Sequence, residues 1–295
     1  MQDEQDPRGP AGLRRVVAPN PGPLTGAGTN SWIVGRGAVA VIDPGPADPA
    51  HLAAILAALA PGERVAAVIV THAHRDHSPL ARPLADRFGA PVHAFGRARE
   101  GARSEMAALT RGLDLGGGEG IDETFAPDIP LRDGEAVQGP DWRITAIHTP
   151  GHLPGHLCLA WDGWLFSGDH AMGWATSLVS PPEGDMGAYV DSLERLAAQA
   201  WHGLLPGHGA AVARAADRLA ELIAHRRARE AQILSALAAG PASPRELTAR
   251  IYADTPVALH PAACRNVLAH LLDLTLKNRV APQAAPGPDT VFRRL

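Results

Sequence analysis

The chain has 295 residues, 45% of them hydrophobic and 20% charged, with a formal net charge of −4. This is ordinary globular composition, long enough for one large domain plus a small one around a sizeable core. No run of eighteen apolar residues occurs, and the polar, acidic start MQDEQDPRGP has no basic or apolar region of an export signal, so a cytoplasmic protein without a membrane span is expected.

In chain order, NSWIVG and AVAVIDPG read as two short strands around the turn RGA. DPAHLAAILAALAPG follows as an amphipathic helix, with Asp48 as N-cap and Pro49 in the first turn. RVAAVIV is a short, continuous apolar run and predicts a buried strand. Ser78 and Pro79 predict the start of a helix that runs to about Phe88, and APVHAF the next strand. Residues 97–130 show no period and much glycine, which predicts an irregular connection such as a lid over a site.

The strand pattern resumes in DWRITAIHTP, HLCLAW and GWLFSGD, followed by the helix MGAYVDSLERLAAQ, the strand LLPGHG and a long helical stretch over 211–239. SPRELTAR carries a capping-box signature, HPAACRNVLAHLLDLTLKN a second amphipathic helix, and VAPQAAPGPDTVFRRL two short strands around a Pro/Gly turn. Three helices and a β-ribbon make a winged-helix pattern. From residue 225 onward there are ten Lys/Arg against five Asp/Glu, whereas the first 224 residues hold 17 against 26. Two units are expected, 1–224 and 225–295, within an α/β (α+β) layered architecture. Cys158 and Cys264, far apart in different elements, read as buried thiols of a reducing compartment.

The segment VIVTHAHRDHSPLA places His72, His74, Asp76 and His77 where a strand meets a helix. In an extended segment, residues two apart point to the same side, so His72 and His74 can converge on one cation. Asp76 and His77 are swung towards a neighbouring position as the chain turns, so the loop suits two metals better than one. Imidazole and carboxylate are the usual nitrogen and oxygen ligands of catalytic zinc. His152 in HTPGH, Asp169 in SGD and His208 in PGHG stand at similar strand ends, with Asp169 suited to bridge two cations.

The motifs THAHRDH, TPGH, SGD and PGHG, in that order over roughly residues 15–210, resemble the ligand set of metallo-β-lactamase-fold hydrolases. The resemblance implies a four-layer αββα sandwich ahead of the winged helix. It implies one metal on His72, His74 and His152, a second on Asp76, His77 and His208, and Asp169 between them. NPGPLTGAGTN and the winged-helix tail resemble the branch that contains a mitochondrial β-lactamase-like endoribonuclease; the second site also resembles glyoxalase II and ribonuclease Z. True zinc β-lactamases often use a cysteine ligand, and neither Cys158 nor Cys264 lies in a corresponding loop, so antibiotic hydrolysis is not the expected native role.

The expected activity is that of a metal-dependent hydrolase with two divalent ions, zinc by preference with iron or manganese as alternatives, which share an ionised water. The expected substrate is a small ester or thioester, and Asp76 both binds metal and orients or deprotonates the nucleophile. The alternatives are phosphodiester cleavage of single-stranded RNA, a single-iron sulfur dioxygenase, and a non-catalytic regulator that binds DNA through the winged helix. The basic tail reads either as a phosphate-backbone contact or, in preference, as a docking or homodimer surface, with RRARE as a solvated face. His156 reads as a support for a metal ligand or as a packed core residue, and His170 as facing substrate or solvent. His93, His148 and His202 read as structural. Trp174, Thr176 and Ser177 read as pocket walls or as a packed surface loop.

Overall fold

A computed structural model describes residues 9–113, 115 and 120–295. The first sheet has six strands in the order β1 (Leu13–Val17), β2 (Asn30–Val34), β3 (Ala38–Ile42), β4 (Arg64–Ile69), β5 (Val92–Ala94) and β6 (Ile129–Pro130). Strands β1 to β3 pair antiparallel; β3 to β6 run parallel, each reached through a connection that crosses one face. The second sheet has the order β11 (Gly203–Pro206), β10 (Trp164–Gly168), β9 (Leu157–Trp161), β8 (Arg143–His148) and β7 (Ala136–Gln138), with β10 and β11 parallel and the rest antiparallel.

Strand alternation sorts the side chains into layers. Trp32, Val34, Ile42 and Ile69 turn inward and pack with Leu157, Leu159 and Phe166 of the second sheet. Ile33, Val41 and Val68 turn outward against α1 (Pro49–Ala57) and α2 (Ala81–Phe88). On the far side Cys158, Leu165 and Leu204 meet Tyr189 and Leu193 of α4 (Met186–Ala197) and Leu219 and Leu222 of α5 (Ala215–Ala238). The result is the expected αββα sandwich.

The C-terminal part has its own core. Ile233 and Leu237 of α5 pack with Leu247 of α6 (Pro244–Ile251), Leu268 and Leu271 of α7 (His260–Leu276), and Val280 and Phe292 of the ribbon β12 (Val280–Pro282) and β13 (Phe292–Arg294). Its α6 opens with the expected capping box: Ser243 Oγ accepts from the Glu246 N–H, and the Glu246 carboxylate accepts from the Ser243 N–H at 2.7 Å. One helix, α5, thus runs from the outer layer of the sandwich into the winged-helix core. Both cysteines are buried free thiols.

Four sequence expectations are corrected. The helix after the histidine loop starts at Ala81, not at Ser78, because the Ser78 hydroxyl bonds to His74 O and Asp122 and caps nothing. The 97–130 connection is not wholly irregular: it holds α3 (Ser104–Leu109) and β6, while residues 114 and 116–119 of the expected lid lie outside the described residues. Strand β1 was not expected; its two arginines break the apolar pattern, and Arg14 reaches across to pair with Glu63. RRARE is not a solvated face throughout, because Arg226 is 1% exposed. Among the described residues no helix is long and apolar enough to cross a membrane.

Candidate metal centre

Strands β3 and β4 end side by side, and the first residue beyond β3 ties them together. Asp43 sits at φ 48, the left-handed region that Asp tolerates better than most residues. Its buried carboxylate accepts from the Thr71 N–H and Thr71 Oγ1, both at 2.7 Å, and from His77 Nδ1–H at 3.0 Å. Sequence reasoning missed Asp43. The signal was an aspartate closing a buried strand ahead of Pro-Gly.

That anchor sets the tautomers of two histidines, as assigned from their partners. The Thr71 hydroxyl spends its one proton on Asp43, so it accepts from His72 Nδ1–H at 2.9 Å and leaves His72 Nε2 bare. His77 likewise gives its Nδ1 proton to Asp43 and turns Nε2 inward. His152 Nδ1–H donates to Leu178 O at 2.7 Å and His208 Nδ1–H to Gly28 O at 3.2 Å. In each case an outer partner aims the inner nitrogen, the usual arrangement behind a metal-ligating imidazole.

The inner atoms form two groups. His74 Nδ1 lies 3.1 Å from both His72 Nε2 and His152 Nε2. One proton on His74 can serve only one of those neighbours, so a lone pair is left facing a lone pair. In the second group Asp76 Oδ2 is 3.3 Å from His77 Nε2 and 3.2 Å from His208 Nε2, and the two nitrogens are 3.4 Å apart. Ligands held ~2.0 Å from a tetrahedral ion stand roughly 3.3 Å from one another. Both groups have that spacing.

Asp169 joins them. Its Oδ2 is 3.8 Å from His72 Nε2 and 3.7 Å from His152 Nε2, while its Oδ1 is 3.4 Å from His77 Nε2 and 3.3 Å from His208 Nε2. Asp76 Oδ1 and Asp169 Oδ1 are buried with no hydrogen-bond partner among the described residues. Orphaned buried carboxylate oxygens are costly unless a cation or water serves them. The donor set, the spacing and the orphaned oxygens together fit divalent metal ions.

The electrostatics differ between the groups. Burial holds His72 well below the usual imidazole value and pushes His74 down to about 3; burial also lowers His152. For His77, burial is outweighed by Asp76, Asp169 and Asp43, which raise it well above the usual value; for His208, Asp169 and Asp76 overcome burial and raise it to about 10. Burial would raise Asp76 and Asp169, but the neighbouring imidazoles hold both carboxyls below their ordinary range. The first group is a set of neutral nitrogen donors, and the second is a carboxylate pair that demands positive charge.

The groups open on a cleft of about 510 Å³ lined by His74, His152 and Asp169 together with Leu24, Met172 and Leu178. Thr176 is on its wall as expected. Trp174 is not: its ring lies against Gly26 and Gly209 and is 47% exposed. Ser177 is buried and bonds His152 Nδ1 at 3.2 Å. His170 faces neither substrate nor solvent; it is fully buried, 4.6 Å from the Tyr189 ring. His156 is a packed core residue whose Nδ1 meets Thr149 Oγ1 at 2.9 Å. His148 stacks on Phe95 and bonds Pro154 O.

The pattern of the metallo-beta-lactamase superfamily matches residues 24–211, and that of the beta-lactamase associated winged helix domain matches residues 243–285. A beta-lactamase-like protein 2 homolog of Drosophila melanogaster is 28% identical, over 90% of this chain and 88% of its own. An atrochrysone carboxyl ACP thioesterase of Paecilomyces divaricatus is 31% identical, over 76% of this chain and 63% of its own. The crystal structure of a metallo-beta-lactamase family protein from Thermus thermophilus superposes with a TM-score of 0.73 at 26% identity, covering 96% of this chain and 99% of that one. With two donor groups at the strand ends and a winged helix behind them, the chain belongs to the metallo-beta-lactamase superfamily of metal-dependent hydrolases.

Proposed function

We propose that this protein hydrolyses a small ester or thioester with two divalent cations, zinc by preference, in the cytoplasm. One observation carries the reading: the two oxygens of Asp169 face different donor groups, one towards His72 and His152 and the other towards His77 and His208. A single-ion site has no use for that split. The similarity to a protein named as a thioesterase supports the choice of substrate class.

On this reading His72, His74 and His152 would hold one cation and Asp76, His77 and His208 the other, with Asp169 available to both. Bound there, divalent cations would supply Lewis acidity and make a water acidic enough to ionise near neutral pH. The chain's own part is positional. Asp43, Leu178 O and Gly28 O hold three imidazoles in the required tautomer. Asp76 Oδ1, with no hydrogen-bond partner among the described residues, can accept a hydrogen bond from the attacking water and orient it. In the net reaction the acyl C–S or C–O bond breaks, the water oxygen joins the acyl carbon, and a water proton ends on the departing thiol or alcohol. Residues 1–224 carry all the donors, and residues 225–295 brace them from behind.

The test joins elemental analysis with a substrate panel. The purified protein is expected to hold close to two equivalents of metal and to cleave an acylglutathione while leaving a labelled single-stranded RNA intact. One equivalent of iron with oxygen uptake, or RNA cleavage without thioesterase activity, overturns the reading.

A further inference from the structure

We infer that a second cavity beside the catalytic cleft is the subsite for an apolar acyl chain of the substrate. This rests on the ester or thioester reading above. The cavity measures about 400 Å³ and lies between α3 and the first turn of α4, with Ala102, Met106, Ala107, Pro150, Pro154 and Ala188 on its walls. Its buried carboxylate, Asp185, is already engaged: it caps α4 through the Ala188 N–H and accepts from Arg103 at 2.6 and 2.9 Å. What is left to a ligand is a mainly apolar surface, edged by Arg99, Thr110, His148 and Glu183.

The cavity is not isolated. It shares Arg99, Leu113, Pro182 and Glu183 with the 510 Å³ cleft over the metal groups. The polar part of that divider is the ion pair of Arg99 with Glu183, at 3.0 Å, and Arg99 also donates to Glu123 at 2.6 Å. Arg99 is a long side chain, 56% exposed, and ion pairs of that kind are weak in water. A chain that enters the cleft can therefore displace it and continue between Leu113 and Pro182.

The charges at the mouth set the direction of binding. Arg75, next to His74, donates from Nε to Ile121 O at 3.1 Å, and among the described residues no carboxylate pairs with it. A polar leaving group is matched by that guanidinium. The acyl chain then runs the other way, where each methylene removed from water adds to binding. The ligand class is a medium-length acyl thioester or ester.

The experiment measures kcat/KM for acetyl, butyryl, octanoyl and dodecanoyl thioesters of N-acetylcysteamine, with wild type, Ala107→Trp and Ala102→Trp. Both substitutions fill the cavity from exposed positions, and circular dichroism with thermal unfolding checks that each variant folds. The inference expects octanoyl to exceed acetyl at least tenfold in wild type, and each variant to cut that ratio at least fivefold. Turnover with no chain-length dependence, or a ratio that neither variant changes, overturns the subsite and leaves the hydrolase reading standing. If no member of the series is hydrolysed, the thioesterase reading fails separately and calorimetric titration with octanoate decides. Binding at least tenfold weaker in both variants supports the cavity as an acyl-chain site, and equal or absent binding overturns it.

Discussion

Asn266 of α7 accepts, through Oδ1, the backbone N–H of Val179 at 3.0 Å. The same oxygen accepts from Arg226 Nη1 at 3.3 Å, and Arg226 Nη2 donates to Ser177 O. These bonds pin Ser177 and Val179 on either side of Leu178, whose carbonyl receives the Nδ1 proton of His152. The winged helix is thus coupled to the imidazole of His152 through the Ser177–Val179 loop. Asn266→Ala removes the acceptor and frees the loop. We expect cation affinity to fall by up to about 10-fold, the low end of what loss of a direct partner of a ligating imidazole costs. Competition with a calibrated chelator measures it, and unchanged affinity in a folded variant refutes the coupling.

Asp43 offers a sharper test from the opposite side of the site. Asp43→Ala strips His77 and Thr71 of their acceptor at once, and through Thr71 it loosens the His72 tautomer. Both donor groups should therefore weaken together, with kcat/KM down by about 10² or more and metal content below that of wild type. Asp43→Asn keeps one carbonyl oxygen and should recover part of the loss. Two variants with equal metal content and equal rate would show that Asp43 only packs the strand ends.

Much of this architecture could be read from the chain, and the exceptions have physical causes. The histidine loop was legible because the pattern His-x-His at the end of a buried apolar run has few other uses, and HTPGH, SGD and PGHG repeat the same strand-to-loop setting. The place of Asp43 ahead of Pro-Gly was a visible signal, but its role was not: that depends on the parallel pairing of β3 with β4, a relation between segments 28 residues apart. Arg226 was hidden in a run that looks solvated, because local charge says nothing about α7 and the Ser177–Val179 loop closing over it. Helix α3 lay within a glycine-rich stretch whose composition masks six helical residues.

Asp76 separates binding from chemistry. Its Oδ2 stands among His77, His208 and Thr29 Oγ1, while Oδ1 has no partner among the described residues. Asp76→Ala should lower metal content towards one equivalent and cut turnover by about 10²- to 10⁴-fold, the range for a positioned acid–base group. Asp76→Asn should retain more metal than Ala and still lose most of the rate. Full occupancy with undiminished turnover would remove Asp76 from the mechanism.

His270 predicts how stability responds to acid, away from the metal groups. It is 2% exposed in α7, both ring nitrogens lack hydrogen-bond partners among the described residues, and burial pushes its pKa down to about 3, helped by the charges of Arg226, His225, Lys277 and Arg229. The unfolded chain takes up this proton near the ordinary 6.5, whereas the folded chain does not until near 3. The unfolded state binds more protons in that window, so the stability present above pH 6.5 is lost as pH falls towards 3. At ~1.4 kcal/mol per pKa unit, the contribution from pH 6.5 down to pH 5 is about 2 kcal/mol. His270→Leu should abolish that part of the acid sensitivity. Urea unfolding at pH 7 and pH 5, with chelator present so that the metal groups titrate alike in both proteins, should show the variant losing about 2 kcal/mol less than wild type. Parallel losses in the two proteins would mean that His270 finds a proton acceptor or water in the fold.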